Sequence, residues 1–414
     1  MERVFIAITI LLLLVIYNIF VSKRKKEIYK STLYKKIVKL KIILYIFSAL
    51  VFILFFIINL SSLGTNPSIN EIVVSILNSF SIAILVMPIS LETLYSSFFS
   101  NEEKYSHIKT IITNRFNKEV ISKLNDADIN VILLSEEKTN LKVVKEDKVT
   151  SKLLLENFQI KTSDLKILDK KVDRGICVRE YKDLNKLYEK IKNSRGIHDN
   201  YIRTIKYLIY SNAPILLSYL FIILLGFPVE YNILLIVLLK LFIFLKTRLL
   251  YKVLTFDSDI MLRKVKNSNI ILGSQENVFL IMECFIITFA LTIPYMYFLA
   301  NGVSISIAST ILIVTFIIIN SLLPYYQLND SSFIKNIFKN IKNMRLNISL
   351  LISICMIFIV NFTKLFQTAN IQLQNNMACL VISIFTILIL ELPKIARFSA
   401  KRGRRKNEIK NNKK

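Results

Sequence analysis

The sequence predicts a mainly α-helical, polytopic membrane protein: a bundle of about nine spanning helices with one small cytoplasmic α/β domain. Of its 414 residues 53% are hydrophobic, and the mean hydropathy is +0.50. Such a composition is too apolar for a soluble globular protein. The 55 Lys and Arg residues outnumber 29 Asp and Glu, giving a net charge of +26, and they collect in short segments between apolar runs.

Nine apolar runs reach or approach the length at which a helix crosses a bilayer, which is roughly 20 residues. Each is expected to be α-helical, because the bilayer core offers no water to satisfy backbone polar groups. Three runs precede the one sizeable polar region, and six follow it in three pairs. The runs are 4–20, 42–60, 72–91, 207–225, 231–245, 278–299, 303–323, 346–362 and 377–392.

The basic residues predict the orientation of this bundle. Loops with almost no Lys or Arg alternate with basic loops, Lys364 being the exception, and basic loops face the cytoplasm. We therefore expect a multi-pass protein of the cytoplasmic membrane with its N-terminus outside and its C-terminus inside. Lys246, Arg248 and Lys252 are assigned to an inner basic loop. These loops are expected to attract anionic lipid headgroups. Nucleic acid is not expected as a partner, because the basic residues do not gather in one domain.

The sequence divides into four parts. Residues 1–95 hold three spans, 96–195 form the cytoplasmic α/β domain, 196–395 hold a basic helix and six spans, and 396–414 form a basic tail that we expect to be disordered. Within the polar region, periodicity and composition predict short strands and two helical segments. The strands are 129–134, 141–144, 165–168 and 176–178, and the helical segments are 120–124 and 181–193.

Two ordered motifs carry a family resemblance. Residues 195–200 read Arg-Gly-Ile-His-Asp-Asn and open a basic helix that continues through Ser-Asn-Ala at 211–213 into an apolar run ending at Gly226. Residues 256–264 read Phe-Asp-Ser-Asp-Ile-Met-Leu-Arg-Lys and follow the next span. This order resembles the stalk, the fifth core membrane helix and the later FDP…PDIM-x-R loop of P-type cation-transporting ATPases.

The resemblance implies a pump that phosphorylates its own aspartate, but the residues for that chemistry are missing. The family's Asp-Lys-Thr-Gly-Thr, Gly-Asp-Gly and Thr-Gly-Glu motifs supply a carboxylate nucleophile, a Mg²⁺ site and a dephosphorylation loop. None of the three occurs in this sequence. The polar region is also too short for both a phosphorylation and a nucleotide domain. About 20 residues separate the first two spans, which leaves no room for an actuator domain.

Two segments are degenerate candidates for the phosphorylation site. Glu137, in Glu-Lys-Thr after the strand 129–134, stands where the nucleophilic Asp belongs, although the same strand also fits a later family element. Asp147, in Asp-Lys-Val-Thr, is the second candidate. A Glu displaces the carboxylate by about one bond length, and such misplacement costs roughly 10²-fold in rate. We therefore expect no catalytic residue, no ATPase activity, no cofactor and no metal.

The resemblance also implies a former ion-site region, with Pro88, Asn212, Lys240 and Glu283. The family's Pro-Glu-Gly-Leu has become Pro-Ile-Ser-Leu at 88–91, so that its ligand carboxylate is absent. Lys240 falls near a position at which the family has a ligand for the cation. It is either a built-in counter-ion in the former site or a lysine that reaches a crevice or a carbonyl. Glu283 is its nearest partner by depth, and we hypothesise that the two pair.

Three functions remain open from the sequence. The first is a catalytically inactive, P-type ATPase-like membrane protein that acts as a structural or regulatory partner of another protein. The second is a degenerate cation transporter whose catalytic domains are separately encoded. The third is a passive channel or secondary transporter built on the same helix bundle.

Overall fold

A computed structural model describes a mainly α-helical chain that separates into two compact units. The first, the membrane unit, comprises 1–96, 203–253 and 272–414, and the second, the polar unit, comprises 97–202 and 254–271. The described residues are 6–7, 9–10, 12–14, 16, 32–61, 63, 67–87, 110–113, 118–127, 129–133, 184–229, 232–250, 260–261, 274–327, 343–362, 368–369 and 371–411.

Nine helices and two strands are described between Thr32 and Asn411. The helices are α1 (Thr32–Ser61), α2 (Ile69–Val86), α3 (Lys118–Asp126), α4 (Leu184–Leu224), α5 (Ile233–Leu250), α6 (Ser274–Ala300), α7 (Ile305–Gln327), α8 (Met344–Phe362) and α9 (Leu373–Asn411). The strands are β1 (Thr110–Thr113) and β2 (Asn130–Leu133). Helix α9 continues through the basic segment up to Asn411, where the sequence had suggested a disordered tail.

Seven helices are long and apolar enough to cross a membrane, as expected of a multi-pass membrane protein. They are Lys41–Ser61, Ile69–Val86, Asn185–Leu224, Glu276–Ala300, Ile305–Gln327, Met344–Phe362 and Leu373–Leu392. They correspond to seven of the nine spans that the sequence predicts. The eighth, 231–245, forms α5, whose 18 residues include three charged side chains, those of Lys240, Lys246 and Arg248. The ninth, 4–20, lies only in part within the described residues.

Helix ends in the membrane unit follow the local sequence. Ser68 and Glu71 form a capping box at the start of α2, in which each side chain binds the other residue's backbone N–H. Helix α2 ends at Val86, and Met87 is extended with ψ of 130°. Proline disfavours helical geometry in the residue before it. This explains why Met87, the residue before Pro88, is not part of α2. Gly226 and Gly302 each follow two residues after the last residue of α4 and α6, and both have φ of 79°, a conformation that glycine adopts without strain.

Helix α7 is the most buried of the spanning helices. It packs against α6, α8 and α9, while α5 packs against α2 and α8. In the most apolar 18-residue stretch of α7, 67% is buried, whereas in the corresponding stretch of α1 only 17% is buried. Helix α7 therefore lies inside the bundle, and α1 presents most of its surface outward.

The polar unit contains a parallel β-α-β arrangement. Strands β1 and β2 pair in register from Thr110 with Asn130 to Thr113 with Leu133, and α3 connects them. Strand β2 lies within the segment 129–134 that the sequence predicts as a strand, whereas β1 was not predicted. The predicted strands 141–144, 165–168 and 176–178 lie outside the described residues. The apolar core of the unit comprises Val120, Leu124, Ala127, Ile129, Leu187, Ile191, Ile260 and Met261.

Candidate ion-site region and buried charges

Lys240 lies at the centre of the candidate ion-site region. It stands in α5 with 3% of its surface exposed. Its Nζ donates one hydrogen bond of 2.7 Å to the backbone carbonyl oxygen of Leu85 in α2 and another of 2.7 Å to Oδ1 of Asn212 in α4. Three helices that are distant in the sequence therefore meet at one ammonium group.

The Leu85 carbonyl is available because α2 ends there. The last four carbonyl groups of an α-helix have no intrahelical donor, and Leu85 is the penultimate residue of α2. A positive charge at a helix C-terminus is also favoured by the helix dipole. The Lys240 ammonium thus supplies a donor to a carbonyl at the end of α2.

Asn212 is held in position by its own helix. Its Nδ2 donates a hydrogen bond of 2.6 Å to the carbonyl oxygen of Leu208, one turn earlier in α4. This bond leaves the amide oxygen directed at Lys240. Of the residues that the sequence assigned to the former ion site, the structure brings Asn212 and Lys240 together beside the end of α2. Pro88 lies outside the described residues.

Glu283 belongs to a separate cluster, and the hypothesised pair with Lys240 is not formed. The Glu283 carboxylate, 2% exposed in α6, accepts a hydrogen bond from the Tyr210 hydroxyl of α4 and another of 3.1 Å from the Tyr326 hydroxyl of α7. Tyr210 and Asn212 are two residues apart, and such residues point to nearly opposite sides of a helix. Glu283 and Lys240 therefore contact different faces of α4.

A second lysine of α5, Lys246, is also buried in the bundle. The sequence placed it in a basic inner loop, and this placement is wrong, because Lys246 lies inside α5 with 0% exposure. Its Nζ donates to the carbonyl oxygen of Asn320 at 2.7 Å and to Oγ of Ser353 at 2.9 Å. The ammonium also lies 5.0 Å from the ring centroid of Phe242, a favourable cation–π distance.

Asn320 joins this lysine to the helix that carries Asn212. The Asn320 amide oxygen accepts a hydrogen bond from the hydroxyl of Ser211. The Asn320 amide nitrogen donates a hydrogen bond of 3.0 Å to the carbonyl oxygen of Phe316. Ser211 and Asn212 are adjacent in the Ser-Asn-Ala motif. Ser211 is therefore connected to Lys246 through Asn320, whereas Asn212 binds Lys240 directly.

The polar unit has its own buried cation at the Arg-Gly-Ile motif. Arg195, 8% exposed, donates from Nη1 to the carbonyl oxygen of Met261 and from Nη2 to that of Ala127, both at 3.1 Å. Met261 belongs to the second motif that the sequence singled out. The two motifs are therefore joined by one guanidinium group inside this unit.

No catalytic or metal-binding constellation stands out among these clusters. No group of three His, Cys, Asp or Glu that could hold a metal ion occurs within the part of the chain that the structure describes. The degenerate phosphorylation-site candidates, Glu137 and Asp147, lie outside the described residues. Cys284, Cys355 and Cys379 are free thiols. What the described part of the membrane unit offers is buried cations bound to carbonyl, amide and hydroxyl oxygens, together with the buried carboxylates of Glu283 and Glu391.

Neither a protein-family model nor a curated protein sequence matches this chain.

Proposed function

We propose that this chain is a catalytically inactive, P-type ATPase-like membrane protein that serves as a structural or regulatory partner in the cytoplasmic membrane. The observation that carries the proposal is the position of the Lys240 ammonium, 2.7 Å from both the Leu85 carbonyl and the Asn212 amide oxygen. Backbone carbonyl and amide oxygens are ligands that a metal cation uses. Here an ammonium that cannot leave the chain occupies that position.

A covalently attached cation changes what such a site can do. A transport site must exchange its ion with water on both sides, whereas Lys240 stays on α5 through every conformation. Its two hydrogen bonds connect the end of α2, the middle of α4 and α5. The former site would then act as a fixed junction that stabilises one arrangement of these helices. This favours a structural role over ion translocation.

The contacts of the two sequence motifs support the same proposal. Arg195, of the first motif, donates to the backbone of Met261, of the second, and both pack in the polar unit with the β-α-β arrangement. This contact is consistent with our interpretation of the polar unit as an eroded form of the family's phosphorylation domain. In the same interpretation the bundle has nine spans, with α5 and residues 4–20 as the two that complete the seven.

The proposal is tested by looking for the two activities that it denies. The full chain is purified in mild detergent with its co-purifying proteins, reconstituted in vesicles of zwitterionic and anionic lipid, and incubated with ³²P-labelled ATP. We expect no acid-stable phosphoprotein and no cation flux with or without ATP. A phosphoprotein that Glu137→Gln or Asp147→Asn abolishes would overturn the proposal.

One observation favours a second function, a degenerate cation transporter that works with separately encoded catalytic domains. Glu283 remains as a carboxylate buried among the spanning helices, and ionisable groups in such positions commonly mark ion pathways. This alternative predicts ATP-dependent cation flux when the partner chain is added to the vesicles. Flux that needs no ATP would instead indicate a channel or secondary transporter.

The basic loops predict a second partner besides a protein, namely the anionic lipid of the membrane. Inner loops rich in Lys and Arg attract anionic headgroups, each basic residue near the surface contributing about 1 kcal/mol. Stability in vesicles is therefore expected to rise with the fraction of anionic lipid and to fall with added salt.

A further inference from the structure

Helix α9 extends well beyond the stretch that can cross a membrane. The helix runs from Leu373 to Asn411, whereas its apolar stretch ends at Leu392. We call the remaining segment, 393–411, the α9 extension. At about 1.5 Å per residue it adds roughly 28 Å to the helix. A segment that the sequence had suggested to be disordered is therefore a helix with a defined surface.

The base of the α9 extension is bound to the membrane unit. Lys394 donates a hydrogen bond of 2.6 Å from Nζ to the backbone carbonyl oxygen of Tyr326 in α7. Its ammonium also lies 3.7 Å from the carboxylate of Glu391, and the Lys394 side chain is only 14% exposed. The charge of Lys394 is therefore used within the bundle. The basic residues that follow it in the chain begin at Arg397.

The α9 extension is strongly basic from Arg397 onwards. Residues 397–410 read Arg-Phe-Ser-Ala-Lys-Arg-Gly-Arg-Arg-Lys-Asn-Glu-Ile-Lys, with seven basic residues and one acidic residue, Glu408. Several of the basic residues are three or four positions apart, as Lys401 and Arg405 are. Such residues are neighbours on a helix surface, and like charges there repel one another. An acidic partner replaces this repulsion by attraction and so favours the helical form.

The bilayer surface matches the α9 extension poorly. A helix that lies in the interface needs an apolar face, and Phe398 and Ile409 are the only large apolar residues in 397–411. The extension is also continuous with a spanning helix, so that Arg404 stands about 18 Å along the axis from Leu392. The headgroup layer is roughly 6 Å thick, and charges in water are screened beyond about 8 Å. Lipid headgroups therefore attract the distant basic residues only weakly.

A neutral stripe follows one side of the α9 extension. Ala396, Ala400, Gly403 and Asn407 recur at intervals of three or four positions, which places them on one face of the helix. Basic positions border this face on both sides. A second helix can approach the stripe closely, and acidic residues along its edges then meet the basic positions, as charged flanking positions do in coiled coils. The charge pattern therefore fits an acidic protein helix better than a nucleic acid.

We propose that the α9 extension is the docking surface for an acidic helix of a partner protein. The carboxylates of that helix neutralise the basic positions, and its backbone lies along the neutral stripe. The inference names the chemistry of the protein partner in the function proposed above and rests on that proposal. It also assigns different roles to the basic residues of the chain, since those of the inner loops attract lipid and those of the α9 extension bind protein.

Binding of a labelled acidic peptide tests this surface. The full chain is placed in nanodiscs of zwitterionic lipid, and a fluorescent helical peptide of glutamate and alanine is titrated against it. The triple variant Arg404→Gln, Arg405→Gln, Lys406→Gln is compared with a charge-matched control in which the three basic residues at 23–25 are changed to glutamine. We expect the first variant to bind the peptide about tenfold more weakly than the wild type, and the control to bind it as the wild type does. Equal losses in both overturn the proposal, because net charge alone then explains the binding.

Amide hydrogen exchange of the wild type keeps the test decisive if the triple variant does not fold. The peptide should slow exchange in 397–410 and leave exchange in α8 unchanged, and an unchanged rate in 397–410 overturns the proposal. Two competitors identify other occupants. If phosphatidylglycerol in the nanodiscs abolishes peptide binding, the surface belongs to lipid, and if an RNA oligonucleotide displaces the peptide at equal concentration, it belongs to nucleic acid. A phosphoprotein in the assay described above overturns the proposed function but leaves the peptide measurement unaffected.

Discussion

The ammonium of Lys246 lies 2.7 Å from the backbone carbonyl oxygen of Asn320, four residues before Pro324. In a regular α-helix this carbonyl would accept the N–H of residue 324, and proline has none. Lys246 supplies the missing donor from a different helix. Since both residues are buried, with 0% exposure, the proline in α7 and the lysine in α5 compensate for each other.

This relationship predicts the effect of Lys246→Met. The variant keeps the apolar stem but leaves the Asn320 carbonyl buried without a donor, which costs about 1–3 kcal/mol. We expect the free energy of unfolding to fall by that amount, measured by denaturation in mild detergent. Adding Pro324→Ala should recover part of the loss, because an alanine at 324 restores the intrahelical N–H.

Arg248→Met is the matched control for this cycle. Arg248 lies two residues further along α5 and is exposed, so its loss should change stability by less than about 0.5 kcal/mol. If the effects of Lys246→Met and Pro324→Ala are additive, the two residues do not interact and the explanation is wrong.

The spans were predictable because hydropathy and length decide them almost alone. The turns at Gly226 and Gly302 were also visible, since each glycine follows an apolar run and lies in a loop without Lys or Arg. The depth of α5 was not predictable in this way. Lys246 lies in a stretch whose basic composition is typical of an inner loop. The only signal in the sequence for its burial was Pro324, which leaves the carbonyl of Asn320 without its helical donor.

For the ion-site region, the sequence indicated the depth of each residue along its helix but not the direction in which its side chain points. The resemblance placed Asn212 and Lys240 in one region, and the structure joins them by a hydrogen bond that the sequence did not predict. Glu283 was paired with Lys240 by depth, yet it contacts Tyr210 on another face of α4. Rotation about a helix depends on packing against several neighbours, and α4 is apolar on several sides in this region. A linear reading of its sequence does not determine that rotation.

Lys240→Ala should create a site for a free ammonium ion. The variant loses two hydrogen bonds from a charged donor, each contributing about 1.5–3 kcal/mol, and leaves space where the side chain was. We expect a lower melting temperature that a small primary alkylammonium ion, such as propylammonium, partly restores. A quaternary ammonium ion, which has no N–H to donate, should not restore it.

Arg248→Ala, on the exposed side of α5, again serves as the control. Its melting temperature should not respond to the alkylammonium ion. If Lys240→Ala is as stable as the wild type, or if both amines act equally on both variants, the Lys240 junction does not hold these helices together.

The polar unit has a pH-dependent pair in α3. The Lys123 ammonium, 2.6 Å from Glu119, lowers the pKa of that carboxyl by its hydrogen bond, and Glu119 raises the pKa of Lys123 in turn. The contribution of Glu119 is therefore present above its unfolded pKa and lost as pH falls through its folded pKa. That of Lys123 is lost as pH rises through its own raised value. At neutral pH both are present.

Carboxyl ¹³C resonances of labelled glutamate measure this shift, with Glu119→Gln providing the assignment. In Lys123→Met the pKa of Glu119 should rise towards its ordinary value. The effect on overall stability should be small, because exposed pairs contribute little. An unchanged titration in Lys123→Met would show that the pair is not formed in solution.

Arg195 should control the local stability of the polar unit. Its guanidinium group bridges two carbonyl oxygens, those of Ala127 and Met261, each at 3.1 Å. A lysine has one ammonium in place of this planar fork and does not reproduce the bridge. We expect Arg195→Lys and Arg195→Met to speed amide hydrogen exchange in 118–133, with the methionine variant the faster of the two. Exchange in α7 should not change.

Lys192→Met provides the comparison for Arg195, since it removes a positive charge three residues earlier in α4. The Lys192 side chain is 37% exposed and lies 3.8 Å from Glu189, a geometry that contributes little. Exchange in 118–133 should therefore be nearly that of the wild type. If Lys192→Met and Arg195→Met accelerate exchange equally, the stabilisation comes from the net charge of α4. If only Arg195→Met does, it comes from the two carbonyl hydrogen bonds, because an exposed cation cannot replace a buried donor.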